Sequence, residues 1–365
     1  MLTNLVKTSY SSEDVEILLQ DVEGKVPILA TAEREKLNQS GVHYSEMLPL
    51  EYVPTEEYMK IYQDSLNVLS FQTANAVELL SEKLINKYGD KLVLVSLARA
   101  GTPIGILVKR YIKFKWGYDI PHYSVSIIRG KGIDVAAMNY IVDKHGVYGV
   151  QFLDGWVGKG AINTVLYAAC KDLENRDSKF KGIDSELAVL SDPASVTQLY
   201  GTRQDFLIPS ACLNATVSGL ISRTVKLKTM TDKELHGAIY YSQYKDIDKS
   251  IEFIETVCSF FNKDIINHFK PSIAEQDENF KGMDEVKVIG FMYHINDINK
   301  IKPGVGETTR VLLRRLPDRV LIRKDADERY LWHIKRLCEE KHVPIEYYEL
   351  KKYNVCGIIK DIADL

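Results

Sequence analysis

YGVQFLDGWVGKGAINTVLYAACKDL, residues 148–173, decides the fold. Its first seven residues make a mostly apolar segment of strand length that ends on Asp154. Gly155, Gly158 and Gly160 follow within six residues, and from Gly160 to Leu173 the apolar residues recur at helical spacing. Strand, glycine turn and helix in that order make one αβ unit, and the same alternation extends in both directions. LVLVSLA (92–98) is an apolar strand followed by a helix over 102–114. HYSVSII (122–128) is a strand followed by the helix DVAAMNYIVDKH, which Gly146 closes. ELAVLSD (186–192) is a further strand. Apolar strands alternating with helices predict an α/β fold, a doubly wound and mainly parallel sheet covered on both faces. Such sheets place ligands at the carboxyl ends of their strands. The turns after Ala98, Ile128, Asp154 and Asp192 therefore share one rim, and they are rich in glycine and charge.

The flanks are less regular. Residues 1–54 form an extension in which Ser12 is an N-cap candidate for a helix EDVEILLQDV. Thr55 to Lys87 has helical spacing and predicts two helices, completing a first domain over 55–245. Residues 246–285 are a polar helical connector. From 286 a second αβ pattern begins: a strand VKVIGFMYH, a helix ETTRVLLRRL, a strand RVLIRKD, a helix ERYLWHIKRLCEEKH, a strand IEYYEL and a last short helix. This predicts a separate small α/β domain over 286–365.

With 47 basic and 50 acidic residues the net charge is −3, so no global field points to nucleic acid or membrane and an anion site must be local. No stretch of 18 apolar residues occurs and the N-terminus lacks a signal-peptide core. Cys170, Cys212, Cys258, Cys338 and Cys356 are odd in number and form no CxxC pair, which argues against a disulfide framework or a zinc site. The expectation is a cytoplasmic protein with reduced thiols and no membrane partner.

The glycine turn can hold a phosphate. Glycines allow close backbone approach, the helix start presents N–H groups and a favourable dipole, and Lys159 adds charge. It is not a Walker A loop, which needs four residues between its first Gly and Gly-Lys and a Ser or Thr next; here the spacing is two and Gly160 follows. A strand-to-helix turn in a doubly wound fold is also glycine-rich for purely steric reasons. SLARAGTPIG (96–105) opens another helix with Arg99, Ala100, Gly101 and Thr102 at the turn, and SIIRGKGID (126–134) places Arg129 and Lys131 beside two glycines.

These segments resemble the type I phosphoribosyltransferases. The resemblance implies that the backbone amides of Gly158, Lys159, Gly160 and Ala161 hold the 5′-phosphate of phosphoribosyl pyrophosphate (PRPP), that Asp154 holds its ribose and that Gly155 also lies at the substrate. It further implies that Arg99, Arg129 and Lys131 attend the pyrophosphate with Mg²⁺, while Asp192 faces the acceptor or the metal; an Asx turn before Pro193 is the alternative for Asp192. The second of that family's two adjacent acids is Gly155 here. A variable hood over the acceptor would come from the N-terminal segment and residues 193–225, with Tyr200, Arg203 and Asp205 as candidates. FLDGWVGKGAI, LSDPAS and YGTRQDFLIPSACLNATVSGLISRTV together resemble the divergent phosphoribosyltransferase-like proteins of tellurite-resistance (ter) gene clusters, a family some of whose members are called cysteine protease StiP. KPGVGETTRVLLRRLPDRVLIRKDAD and LCEEKHVPI resemble the Pelota-type RNA-binding domain, related to kink-turn binders. That resemblance implies structured RNA as a partner, with Gly304, Glu307, Arg310 and Arg314 at the RNA. The family's base-reading Asn position is Gly306 here.

Three functions compete. The leading expectation is an enzyme transferring a 5-phosphoribosyl group from PRPP to a base-like acceptor. A second is a cysteine protease with Cys212 as nucleophile and His236 or His268 as base; Ala211 and Leu213 beside the cysteine argue for packing instead. A third is a non-catalytic regulator in which a nucleotide at the first domain controls RNA binding at the second. A homodimer is left open.

Overall fold

The computed structural model describes residues 4–360 apart from 31, 32, 35, 38, 39 and 52. Seven strands make the central sheet: β1 (Glu16–Ile17), β2 (Val93–Ala98), β3 (His122–Ile128), β4 (Gly132–Ile133), β5 (Val150–Trp156), β6 (Ala188–Ser191) and β7 (Tyr200–Thr202). Their order is β1-β3-β2-β5-β6-β7, parallel throughout, with β4 folded back antiparallel on β3. The helices α1 (Glu56–Tyr88), α2 (Gly101–Trp116), α3 (Val135–His145) and α4 (Ala161–Arg176) cover it. Successive strand residues point to opposite faces, so Leu94 and Leu153 pack with Leu66 and Leu107 of α1 and α2. Val95 and Phe152 pack with Met138 and Leu166 of α3 and α4. Burial on both faces is why these strands read as apolar runs rather than as alternating ones. The chain leaves β2 for β3 on one side and returns to β5 on the other. The order thus reverses at the carboxyl ends of β2 and β5, which opens a crevice there.

After α5 (Ser250–Cys258) and an irregular stretch, a small α/β region follows: α6 (Gly282–Met292), β8 (Ile301–Pro303), α7 (Val305–Arg314), β9 (Pro317–Arg323), α8 (Trp332–Glu340), β10 (Ile345–Tyr348) and β11 (Val355–Ile359). Its strand order is β8-β11-β9-β10, with β9 and β10 parallel and the other pairs antiparallel.

Four expectations differ from what is observed. Residues 13–22 are not a helix: Val15, Ile17, Leu18 and Leu19 are all buried, leaving no solvent face, and the segment extends along β3 with Leu18 N–H donating to Ser124 O at 2.9 Å. The two helices expected over 55–87 are one helix of 33 residues, capped by Thr55. Within it Ser65, Ser70 and Thr73 return their hydroxyls to backbone carbonyls, so these polar residues do not break it. The apolar run VKVIGFMYH lies mainly in α6, where Val286 and Ile289 are buried while Val288 and Phe291 are exposed, a helical period that a short apolar run hides. The last short helix is strand β11, buried at the centre of its sheet.

Cys170, Cys212, Cys258, Cys338 and Cys356 are free thiols. Among the described residues no helix is long and apolar enough to cross a membrane.

Candidate functional site

The crevice predicted by the topology is filled by two turns that need glycine. A Cβ on Gly101 would lie 2.7 Å from the carbonyl oxygen of Leu153, so only glycine lets α2 begin this close to β5. Gly160 precedes α4 with φ +86°, a left-handed conformation, and a side chain there would press on Val196 at 3.3 Å. The turn is shorter than the sequence suggests, because β5 runs on through Gly155 and Trp156.

A cleft of three linked cavities follows. The first, about 330 Å³, lies over the glycine turn and is lined by Arg129, Asp154, Trp156 and Gly158 to Ala161. The second, about 190 Å³, lies between Arg99, Ala100, Asp154 and Ser210. The third, about 860 Å³, is lined by Glu51, Arg99, Cys212, Asn214, Arg223 and Arg315, among others. Asp154 and Arg310 border the first two, and Arg99 borders the second and third.

The roof is α7 of the C-terminal region. Its buried residues include Val305, Thr308, Thr309 and Leu312, and Arg310 and Arg314, one turn apart, point into the cleft. The Arg310 guanidinium lies 5.2 Å from the centre of the Trp156 ring. Arg314 donates to Asn214 Oδ1 at 2.7 Å and to the Cys212 carbonyl at 3.0 Å. Asp205 ties the two regions together, its carboxylate accepting from Val305 N–H at 2.7 Å and Asn354 N–H at 2.8 Å. A negative charge therefore already occupies the amino end of α7, where the helix dipole favours an anion. Tyr353 donates its hydroxyl to the Gly158 carbonyl at 2.7 Å, and Lys159 Nζ donates to Ile298 O at 2.5 Å.

The structure brings Asp154, Arg99, Ala100, Arg129, Gly158, Lys159, Gly160, Ala161, Cys212, Glu307, Arg310 and Arg314 to one cleft. It does not bring the others there as expected. Lys131 is exposed in the turn between β3 and β4. Thr102 is buried, its hydroxyl 2.7 Å from that of Ser124. Gly155 is a strand residue whose N–H donates to the Asp154 carboxylate at 2.8 Å. Asp192 and Arg203 form a buried ion pair under the sheet end, and Asp192 also accepts from the backbone of Val196 and Thr197. Tyr200 stacks between Arg203 at 3.7 Å and Lys83 at 3.5 Å. Gly304, Glu307, Arg310 and Arg314, expected at RNA, face the first domain; a Cβ on Gly304 would lie 3.2 Å from Asp205.

Several groups have shifted affinities for protons. Burial pushes the Asp154 carboxyl up to about 6, with the Gly155 N–H and Arg310 pulling it down and Glu307 pushing it up. Burial pushes the Cys212 thiol up to about 11, against the Ser65 hydroxyl, Arg314 and Arg310, which favour the thiolate. Burial also lowers Arg314 to about 10, with help from Arg310 and Arg99, which leaves it charged at neutral pH. Neither histidine considered as a base for Cys212 pairs with it. His236 Nδ1 lies 2.8 Å from Ser126 Oγ, and His268 packs its ring 5.1 Å from that of Phe71. The polar neighbour of the Cys212 sulfur is Ser65 Oγ, at 3.8 Å.

Sequence reasoning passed over Glu51, Asn214 and Arg223. Glu51 lies 3.6 Å from Arg99 and accepts from Ala215 N–H at 3.2 Å, while Arg223 donates to the carbonyls of Tyr44 and Met47. They sit in irregular segments whose convergence is tertiary, and no local pattern marks them.

The family model described as tellurite-like stress resistance cysteine protease StiP matches residues 8–258. The cysteine protease StiP of Acinetobacter baylyi is 37% identical over 343 residues, 90% of this chain and 88% of the relative. The chain belongs to the StiP family. The model of the PELOTA RNA binding domain matches residues 280–361. The NHP2-like protein 1 homolog of Drosophila melanogaster is 30% identical over 80 residues, 21% of this chain and 63% of that protein. No solved structure matches.

These matches overturn the expected phosphoribosyl transfer, since the family and the relative that spans most of the chain are named for a cysteine protease. The geometry supplies physical reasons for the correction. Arg99 is engaged by the Ile221 carbonyl at 2.9 Å, Lys159 by Ile298, and the Asp154 carboxylate by its own following N–H. Groups assigned to PRPP are thus already partnered within the protein, and the magnesium expected with PRPP entered only as its companion.

Proposed function

We propose that the chain is a StiP-type cysteine hydrolase of peptide bonds, with Cys212 as nucleophile and a latent resting state. The family supplies the reaction class. The observation that supports Cys212 is its place on the wall of the largest cavity of the cleft, with Arg314 bonded to its carbonyl. Thiolate, not thiol, is the nucleophile, and a thiol held at about 11 is almost wholly protonated at neutral pH, hence the latency. Attack on a peptide carbonyl forms an acyl-enzyme while the thiol proton passes to Glu51, the carboxylate in the same cavity. Glu51 then returns that proton to the departing amine, and water releases the acyl group. Arg315, which lines the same cavity and whose side chain is not bonded to any of the described residues, favours a substrate carrying a carboxylate.

The test is cleavage of an acidic peptide pool, followed by mass spectrometry, for the wild type, Cys212→Ser, Glu51→Gln and Arg314→Ala. Cleavage that disappears in Cys212→Ser and rises in Arg314→Ala, which loosens the roof, is expected. Cleavage that survives Cys212→Ser, or its absence even in Arg314→Ala, overturns the proposal.

We also infer that the C-terminal region binds RNA, on the strength of the Pelota-type match. Because α7 faces the first domain, RNA reaching Arg310 and Arg314 would have to displace that domain. Anisotropy of a labelled structured RNA tests this; no binding by the full chain at low salt would refute it.

A further inference from the structure

A further cavity, which shares no lining residue with the cleft, carries an independent inference. It has a volume of about 500 Å³ and lies between residues 273–280 and the two segments 323–325 and 348–352. Its walls include Ile273, Phe280 and Tyr348, all half-buried, and the basic residues Arg323, Lys324 and Lys351. Its size falls in the range of small-molecule sites, and of its twelve lining residues seven are charged and two, Phe280 and Tyr348, are aromatic.

The walls are held in place. Lys352, 2% exposed, donates its ammonium to Ser195 Oγ at 2.9 Å and to the carbonyls of Ala274 and Asp277, both at 2.6 Å. That pins the segment carrying Phe280 to the C-terminal region. Glu285 accepts from the backbone N–H groups of Lys351 at 2.5 Å and Lys352 at 2.8 Å, which fixes the facing loop. Lys351 Nζ stands 5.4 Å from the centre of the Phe280 ring, so a cation and an aromatic face are presented together. The rim also carries Asp277, Asp325 and Glu349. Asp277 is turned onto its own loop, accepting from Asn279 and Phe280 N–H, and Asp325 is paired with Arg323 at 2.8 Å. Lys324, Lys351 and Glu349 are exposed, which leaves the rim a net positive charge.

We propose that this cavity binds a nucleotide, its base against Phe280 and Tyr348 and its phosphate at Lys324 and Lys351. A flat π-system next to an anion is the ligand that aromatic walls and two ammonium groups recognise together. Phe280 has Lys351 beside its ring and Tyr348 has the Tyr293 ring at 6.1 Å; a base adds to these aromatic contacts, whereas an acidic peptide would use the lysines alone. The nucleotide is either a free mononucleotide or an unpaired residue of an RNA strand, and both have the same contacts. The inference does not depend on Cys212, and it survives failure of RNA binding if the free nucleotide is the ligand.

Adenosine monophosphate is titrated calorimetrically into the full chain, and a labelled single-stranded hexanucleotide is followed by anisotropy. Both are repeated on Phe280→Ala and on the double variant Lys324→Glu/Lys351→Glu, whose exposed side chains leave the fold intact. Loss of one stacking partner is expected to weaken binding about tenfold, the lower part of the range for base–aromatic contacts. The double variant is expected to abolish it. Mononucleotide binding that both variants weaken assigns the free nucleotide; hexanucleotide binding with no mononucleotide binding assigns the RNA strand. Binding of neither probe, or binding that the double variant leaves unchanged, overturns the proposal.

Discussion

Thiol alkylation of Cys212 is the most direct probe of the cleft. Burial moves this thiol from 9.0 to about 11, two pH units. At pH 7.5 an unperturbed thiol is about 3% thiolate and a thiol at about 11 is about 0.03%, so the reactive fraction falls about 100-fold. Occlusion adds to this, because the residue is 2% exposed. Iodoacetamide labelling at pH 7.5, resolved by peptide mass spectrometry, should therefore be at least about 100-fold slower at Cys212 than in the same chain unfolded. Its rate should climb about tenfold per pH unit until the fold fails. Arg314→Ala sets two effects against each other. Losing the charge raises the thiol further, whereas opening the roof relieves the burial that is the main cause of the shift. The larger effect should win, so labelling accelerates. A wild-type Cys212 that reacts as fast as an unfolded cysteine would refute the reasoning, and slower labelling in Arg314→Ala would show that charge outweighs burial.

Asp205→Ala removes the acceptor of two backbone N–H groups, each worth about 1–3 kcal/mol when stranded. It also relieves a buried carboxyl held at about 6, whose ionisation at neutral pH opposes this by about 3 kcal/mol at most. With the two groups near the middle of that range, about 4 kcal/mol together, and the whole opposing contribution, the net loss at pH 7 should be about 1 kcal/mol in urea unfolding. A carboxyl raised in the folded state stabilises most below its unfolded value of 3.8 and loses that as pH rises through about 6, so the gap should widen from pH 7 to pH 4; a constant gap would contradict the assignment. Gly101→Ala forces a methyl to within 2.7 Å of Leu153 O and should destabilise by about 1–3 kcal/mol, measured the same way, whereas a neutral result would mean that α2 can back away from β5.

The parallel sheet was legible because strands buried on both faces must be apolar throughout and the intervening helices must show a 3.6-residue period. LVLVSLA, HYSVSII and YGVQFLD gave β2, β3 and β5 for that reason. The same logic failed where burial removes the period. Val15, Ile17, Leu18 and Leu19 are all buried, and VKVIGFMYH is too short to separate a strand from one side of α6. The site was half legible. Glycines with a steric duty, Gly101 and Gly160, stand out in a sequence, and so does the acid at a strand end, Asp154. What could not be read is partnership. Arg203 and Asp192 look like ligand-binding groups until each is seen to neutralise the other, and Asp205 looks like one until α7 is seen to rest on it. A charged residue advertises its charge but not who already uses it.

That distinction also separates the two proposed sites in solution. The net charge of −3 conceals a local concentration of arginines in the cleft, where Arg99, Arg223 and Arg314 are engaged by carbonyls or by Glu51. Partly buried charges of this kind are screened only weakly by added salt. Lys324 and Lys351 are exposed, and an anion held by them sits within reach of the ionic atmosphere. Raising salt from 50 to 500 mM should therefore weaken nucleotide binding at the cavity beside Phe280 severalfold while changing peptide cleavage in the cleft by less. Equal sensitivity would mean that the cleft arginines meet their ligand in water, which requires the α7 roof to have lifted before the ligand arrives.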